Sequence, residues 1–257
     1  MTINSEESIE GLVLKNKPYK ENDMLVWIYT KTYGKMALIA RGVKKMKSKN
    51  APACQTISLG EYLFVPRKGL STLIKGSVID YFVHIKEDIE LEAYASYFIE
   101  YVYKYVLDND PDEECYNNLL LALKYLNSGY DPRLVYLLFN AYILKATGCA
   151  LEVEQCSVCG DSSHIAGISI GSGGFVCKEC LGMYDRHLSI EVLKGFRYIN
   201  KCSLENIDLL KLDDDVIDQL IEIMNAYIDE FTGLVFQSRS RRPSGLRKTS
   251  PNSNSLA

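Results

Sequence analysis

The sequence predicts an α+β multidomain chain: a five-stranded barrel first, then an all-α domain into which a small cysteine-bound module is inserted. Three observations carry this. Short β-rich runs punctuated by glycine fill the first 85 residues, apolar residues recur at three and four positions from Asp88 onward, and two Cys-x2-Cys pairs interrupt that second pattern. At 257 residues, 47% hydrophobic and 24% charged, the chain has the length and composition of two soluble domains with an appendage.

The first strand is expected over Ile9 to Leu14 and the second over Met24 to Thr30. Lys35 to Ala40, Glu61 to Pro66 and Thr72 to Phe82 follow, the last long enough to bend, with Gly34, Gly42, Gly60, Gly69 and Gly76 at or near turns and bends. Five strands with only a helical turn within 50–58 suggest a small closed barrel over 1–85.

From there the period changes. Leu91, Tyr94, Ala95, Phe98, Tyr101 and Val102 mark one face of a helix that runs to about Leu107, where Asp108-Asn109-Asp110-Pro111 breaks it. A second helix is expected from Asp112 to Asn127, and Asp131-Pro132 opens a third that ends at Gly148. Ser189 starts a helix after the cysteines, and Asp213 to Asp215 cap a last one reaching about Phe236. The helical domain is thus expected in two parts, 86–150 and 187–236, packing into one bundle around an inserted module at 151–186, with a basic, disordered tail at 237–257. The tyrosines of residues 94–142 read as core and interface.

Cys156-x2-Cys159 and Cys177-x2-Cys180, with seventeen residues between the pairs, have the spacing that builds a tetrahedral zinc site from two tight turns. Gly160 suits a knuckle that needs positive φ, and Gly171-Ser172-Gly173-Gly174 reads as the turn of a short ribbon rather than a phosphate loop. Four sulfurs fill the coordination shell, so one structural Zn2+ per chain is expected, with no open position for catalysis. Cys54, Cys115, Cys149 and Cys202 are expected as free, mostly packed thiols, Cys149 being the only one near enough in sequence to substitute as a ligand. The start has no basic and apolar leader, and the longest apolar stretch, Leu134 to Leu144, is too short to span a bilayer, so a reducing, cytoplasmic setting without membrane contact is expected.

Catalysis finds little support. His84, His164 and His187 are the only histidines, none with a partner pattern, and no G-x-x-x-x-G-K-[ST] occurs. Charge is more informative. Residues 1–85 hold 13 basic and 7 acidic side chains, residues 86–236 hold 11 and 26, and the last 21 residues hold 5 and 0. A basic end on an acidic body points to a polyanionic partner. Arg41, Lys44, Lys45, Lys47 and Lys49 lie within nine residues after the third strand, Lys15, Lys17 and Lys20 follow the first, and Arg67, Lys68 and Lys75 belong to the last hairpin. Along the second strand, Val26 and Ile28 face inward, so Trp27 and Tyr29 face out, either to stack bases or to pack against the helical body.

Gly11-Leu12-Val13-Leu14-Lys15, Glu21-Asn22-Asp23, Gly34-Lys35, Arg41-Gly42-Val43-Lys44-Lys45, Ala93-Tyr94-Ala95-Ser96-Tyr97, Cys156-Ser157-Val158-Cys159-Gly160 and Gly173-Gly174-Phe175-Val176-Cys177 together resemble the bacterial recombination mediator family RecO. The resemblance covers about residues 9 to 195. It implies an OB-fold barrel, a helical domain and a zinc module. It also implies a non-enzymatic role in binding single- and double-stranded DNA, annealing strands and, in the RecF pathway, loading recombinase with RecR and SSB. Lys15, Lys35, Arg41, Lys44 and Lys45 carry over as DNA contacts. The C-terminal tail of SSB is acidic and the helical body is itself strongly negative, so a local pocket with Lys124, Arg133 or Lys145 is needed to accept it. The rival expectation is an adaptor that works mainly through that acidic body.

Overall fold

The structure, a computed structural model, describes residues 5–233. The chain divides into two compact units, one to Ser128 and one from Gly129. The expected end of the last helix at Phe236 and the basic tail lie outside the described residues.

The first unit contains the barrel. Its strands are β1 (Glu7–Tyr19), β2 (Asp23–Thr30), β3 (Gly34–Ala40), β4 (Leu59–Val65) and β5 (Leu70–Asp80), closed in the order β1-β2-β3-β5-β4. All neighbours are antiparallel except β3 and β5, whose parallel pairing closes the barrel. That is the five-stranded Greek-key arrangement of the OB-fold. β1 is longer than expected because it serves two partners, β4 through its first half and β2 through its second. Its pairing with β2 slips between Val13 and Lys15, leaving Leu14 as an extra residue. Alternation alone would send Lys15 to the same side as Val13, into the apolar barrel interior. The bulge instead turns Lys15 outward, opposite Trp27.

The interior is filled by Val13, Val26, Ile28, Leu38, Tyr62 and Phe64, among others, all fully buried. A 3-10 turn, Pro52–Cys54, packs Ala53 and Cys54 against this core, and Tyr62 Oη donates to the Ala53 carbonyl at 2.7 Å. Helices α1 (Val83–Glu87), α2 (Ile89–Tyr105) and α3 (Glu113–Asn127) belong to this same unit. Asp88 caps α2 by accepting from the Glu90 and Leu91 N–H groups, and Asp112 caps α3 through the Cys115 N–H.

The second unit holds α4 (Pro132–Ala146), a three-stranded sheet, α5 (Ile190–Lys201), a 3-10 segment (Leu204–Leu209) and α6 (Asp214–Phe231). α4 packs on both α5 and α6, so a helix before the cysteines and two after them share one core. The single bundle expected of all the helices is therefore narrower than the sequence suggested, since α2 and α3 sit in the unit of the barrel. The sheet runs β7-β6-β8, from β6 (Ile165–Ser169), β7 (Gly174–Cys177) and β8 (Arg186–His187). Tyr227 of α6 donates its hydroxyl to the Ser169 carbonyl at 2.8 Å, tying the sheet to the helices. Among the described residues, no helix is long and apolar enough to cross a membrane.

Candidate nucleic-acid interface and metal centre

The β3–β4 loop leaves the barrel at Arg41 and is fastened by its backbone. The Gly42 N–H donates to the Asp23 carboxylate at 2.8 Å, and the Lys44 N–H donates to the Asn22 carbonyl at 3.0 Å. Two short motifs far apart in sequence, Asn22-Asp23 and Arg41-Gly42, thus meet at one joint. Val43 is buried beneath the loop, and Asn50 closes its far end by bonding the Ile74 carbonyl and the Gly76 N–H. The side chains of Arg41, Lys44, Lys45, Lys47 and Lys49 are exposed. Among the described residues, none of the five has a carboxylate at ion-pair distance. The loop is held by main chain and its charges are left free. The β1–β2 hairpin it touches carries exposed Lys17, at the end of β1, and Lys20, in the turn, and Arg67 and Lys68 are exposed at the β4–β5 turn.

Two expected contacts, Lys35 and Tyr29, are placed differently. Lys35 is only 11% exposed in its side chain; its ammonium donates to the Tyr103 and Val106 carbonyls at 2.9 and 2.8 Å and pairs with Asp108 at 3.1 Å. It therefore caps the C-terminal end of α2, where unpaired carbonyls attract a cation. Gly34 beside it is equally structural: its φ is +65°, and a Cβ there would lie 2.3 Å from the Asp110 carbonyl oxygen. Tyr29 leaves the barrel wall on its outer face as alternation requires, but that face is covered. It is fully buried, tilted against Tyr116 with centroids 5.8 Å apart, and its hydroxyl donates to the Asp112 carbonyl. No base can reach it in this fold. Trp27 is half-buried, edge-on to Tyr103 at 6.2 Å, with one side of the pair covered by the Lys15 side chain.

In the second unit, the Cys156, Cys159, Cys177 and Cys180 sulfurs all lie within 4.8 Å of one another. The Cys159–Cys177 separation is 3.7 Å. A tetrahedron with arms of about 2.3 Å has edges of about 3.8 Å, so the spacing fits four thiolates around one zinc ion. The knuckles are built by main-chain bonds: Gly160 N–H to the Cys156 carbonyl at 2.9 Å, and Cys180 N–H to the Cys177 carbonyl at 3.1 Å. Gly160, with φ +78°, turns the first. Burial opposes ionisation of Cys156, but N–H groups of Cys159, Cys177 and Val158 aimed at its sulfur outweigh that and lower it to about 6. Cys180 is pushed up to about 12, chiefly by the neighbouring sulfurs of Cys177 and Cys159. Four crowded sulfurs that cannot all ionise alone could hold a cation, which would let every one be a thiolate.

Cys149 and His164 do not join this set. His164 instead contacts Ser163 and Asp161 on the surface. Cys54 and Cys115 are buried, and Cys149 and Cys202 are half-buried. Arg133, a candidate for accepting an acidic tail, is already bound by Asp131, Asp214 and Asp218. Asp131 and Asp214 hold its guanidinium above its ordinary pKa.

Residues 1–82 match the family model described as recombination protein O, N terminal, and residues 86–240 match recombination protein O, C terminal. The chain belongs to the recombination protein O family. A DNA repair protein RecO from Listeria monocytogenes serotype 4b is 32% identical over 235 residues, which is 91% of this chain and 92% of that protein. DNA repair protein RecO of Halalkalibacterium halodurans is 30% identical over 233 residues, 90% and 91% of the two chains. That of Clostridium novyi is 29% identical over 239 residues, covering 92% and 91%. Membership carries a role in DNA repair and recombination.

Proposed function

We propose that this chain is a non-enzymatic, cytoplasmic DNA-binding protein of recombinational repair that binds single and double strands through the barrel and anneals complementary strands. With RecR it helps load recombinase onto SSB-coated DNA. The observation that carries the reading is the β3–β4 loop, whose five cations are exposed and, among the described residues, unpaired while its backbone is fixed by Asn22, Asp23 and Asn50. A pre-ordered row of cations neutralises phosphates without the entropic cost of ordering the loop on binding. Two strands held on such a surface repel each other less, and that repulsion is the chief obstacle to pairing. The zinc ion in this reading is structural: one per chain, held by four thiolates with no vacant position, bracing the ribbon between α4 and α5.

Annealing of complementary oligonucleotides without nucleotide cofactor, at two salt concentrations, tests the proposal. About five phosphate contacts give a log–log salt slope near −3 to −4 on single strands. A flat salt response removes the mechanism.

A second reading, an adaptor working mainly through the second unit, draws support from apolar side chains left exposed there: Met183 at 89%, Tyr184 at 93% and Leu209 at 75%. Quenching of the sole tryptophan by oligothymidine favours the first reading, and unchanged emission favours the second.

A further inference from the structure

Building on the barrel as the DNA-binding element, we infer that Lys15, Trp27 and Tyr103 form a subsite for one unpaired nucleotide, and that Tyr103, contributed by α2, helps the protein tell single strands from duplex. Three elements converge on this spot. The β1 bulge turns Lys15 outward opposite Trp27 of β2, and Tyr103 meets Trp27 edge-on at 6.2 Å. The Lys15 ammonium lies 4.6 Å from the Tyr103 ring centroid and 5.8 Å from that of Trp27. The Lys35 ammonium lies 4.8 Å from the same Tyr103 ring.

The two cations differ in how they are held. Lys35 is saturated by two carbonyls and Asp108, which locks it and the end of α2 in place. Lys15 is exposed and, among the described residues, has no carboxylate at ion-pair distance; the aromatic rings are its only partners. Both ammoniums contact one ring, so they lie no more than about 9.4 Å apart. That is within the screening length at about 0.1 M salt, so each feels the other. A cation–π contact at an exposed site is a weak hold, and a phosphate is a stronger partner for an ammonium.

The chemistry that satisfies Lys15 is therefore an anion that brings a flat, polarisable ring with it: a nucleotide. The phosphate draws Lys15 off the rings, and the base takes the uncovered aromatic surface. Because Lys15 covers that surface in the free protein, phosphate capture and base stacking are coupled. A duplex offers the phosphate but keeps its bases stacked inside, so it gains only the first half.

The test uses the full-length protein with an oligothymidine and a blunt duplex of equal length. Tyr103→Leu is expected to weaken oligothymidine binding about tenfold, within the range for one base–aromatic stack, while duplex affinity changes less than about twofold. Tyr103→Phe, which keeps the ring, restores oligothymidine binding. Lys15→Gln, at an exposed position whose loss leaves the fold intact, lowers the single-strand salt slope by about 0.7, the share of one phosphate. Equal loss on both DNA forms, no loss on oligothymidine, or an unchanged slope in Lys15→Gln overturns the inference. Lys44→Glu with Lys45→Glu separates this from the broader reading. If that variant loses both DNA forms while Tyr103→Leu loses neither, the subsite fails and the barrel interface stands.

Discussion

Replacing Lys35 by Met should cost stability rather than DNA affinity. The thioether keeps most of the aliphatic stem and removes the ammonium, which donates to the Tyr103 and Val106 carbonyls and faces Asp108. Hydrogen bonds from a charged donor are worth about 1.5–3 kcal/mol each, and a cation at a helix C-terminus adds a few tenths more. The Asp108 carboxylate is largely exposed, so that pair adds little, and water can rescue part of the lost bonding at the end of α2. A net loss of about 2–4 kcal/mol follows, equivalent to a fall in Tm of roughly 10 °C for a unit of this size. Thermal and urea unfolding read the stability, and oligothymidine titration well below the new Tm reads binding. An unchanged Tm with strongly reduced DNA affinity would show that the ammonium serves phosphates and that its carbonyl contacts are incidental.

Lys44→Glu with Lys45→Glu should abolish annealing and leave Tm unchanged, because only the main chain of those residues is bonded to the fold; loss of folding would make the two lysines structural. Protein purified without chelator should carry one zinc per chain by elemental analysis, and Cys180→Ser or strong chelation should unfold the β6–β8 sheet, since such sites contribute about 10–16 kcal/mol of apparent binding energy. Retention of the second unit's circular dichroism after metal removal would contradict this. Stability should also fall in alkali. Burial pushes Cys54 from 9.0 up to about 12, and Tyr62 is raised above 10.0 mainly by burial. Groups raised in the fold ionise first when unfolded, so their contribution is full below about pH 9 and is lost as pH climbs through the folded values, by up to about 1.4 kcal/mol per pH unit for each group. Urea midpoints across that range read the slope, and Cys54→Ala should flatten it.

The sequence was most legible where the chemistry is local. Two Cys-x2-Cys turns bring four sulfurs together because each turn is built from its own backbone bonds, and the barrel strands follow from alternation and glycine punctuation. What it concealed depends on non-local cover. Nothing in Trp27-Ile28-Tyr29 says that α3 lies over Tyr29 while Trp27 keeps a partly open ring, since both stand on the same outer face. Leu12-Val13-Leu14 reads as a plain apolar run, and the bulge that redirects Lys15 appears only once β2 is its neighbour. Lys35 looked like its cationic neighbours because a lysine's partner is set by what the chain places beside it, here the end of a helix 68 residues away. The boundary after Ser128 was equally hidden, because α2 and α3 have the same periodicity as the helices of the second unit.

The same distinction decides how charge should be counted. Residues 1–85 carry an excess of positive charge, but residues 1–128 hold 16 basic and 17 acidic side chains, so the first unit is close to neutral. The DNA binding proposed for it therefore cannot rest on net charge. It must come from cations that are exposed, unpaired and adjacent, which is what the loop after β3 supplies; Lys31 and Lys35 are engaged by Glu113 and Asp108. A charge-matched pair separates the two accounts. Lys45→Glu and Lys124→Glu each change the charge by two, and both side chains are exposed, the second on α3. If local arrangement governs, Lys45→Glu lowers annealing several-fold and Lys124→Glu leaves it within experimental scatter, because a charge beyond about 10 Å is screened at 0.1 M salt. Equal losses would mean that the protein grips DNA through its overall field, and the loop would lose its special standing.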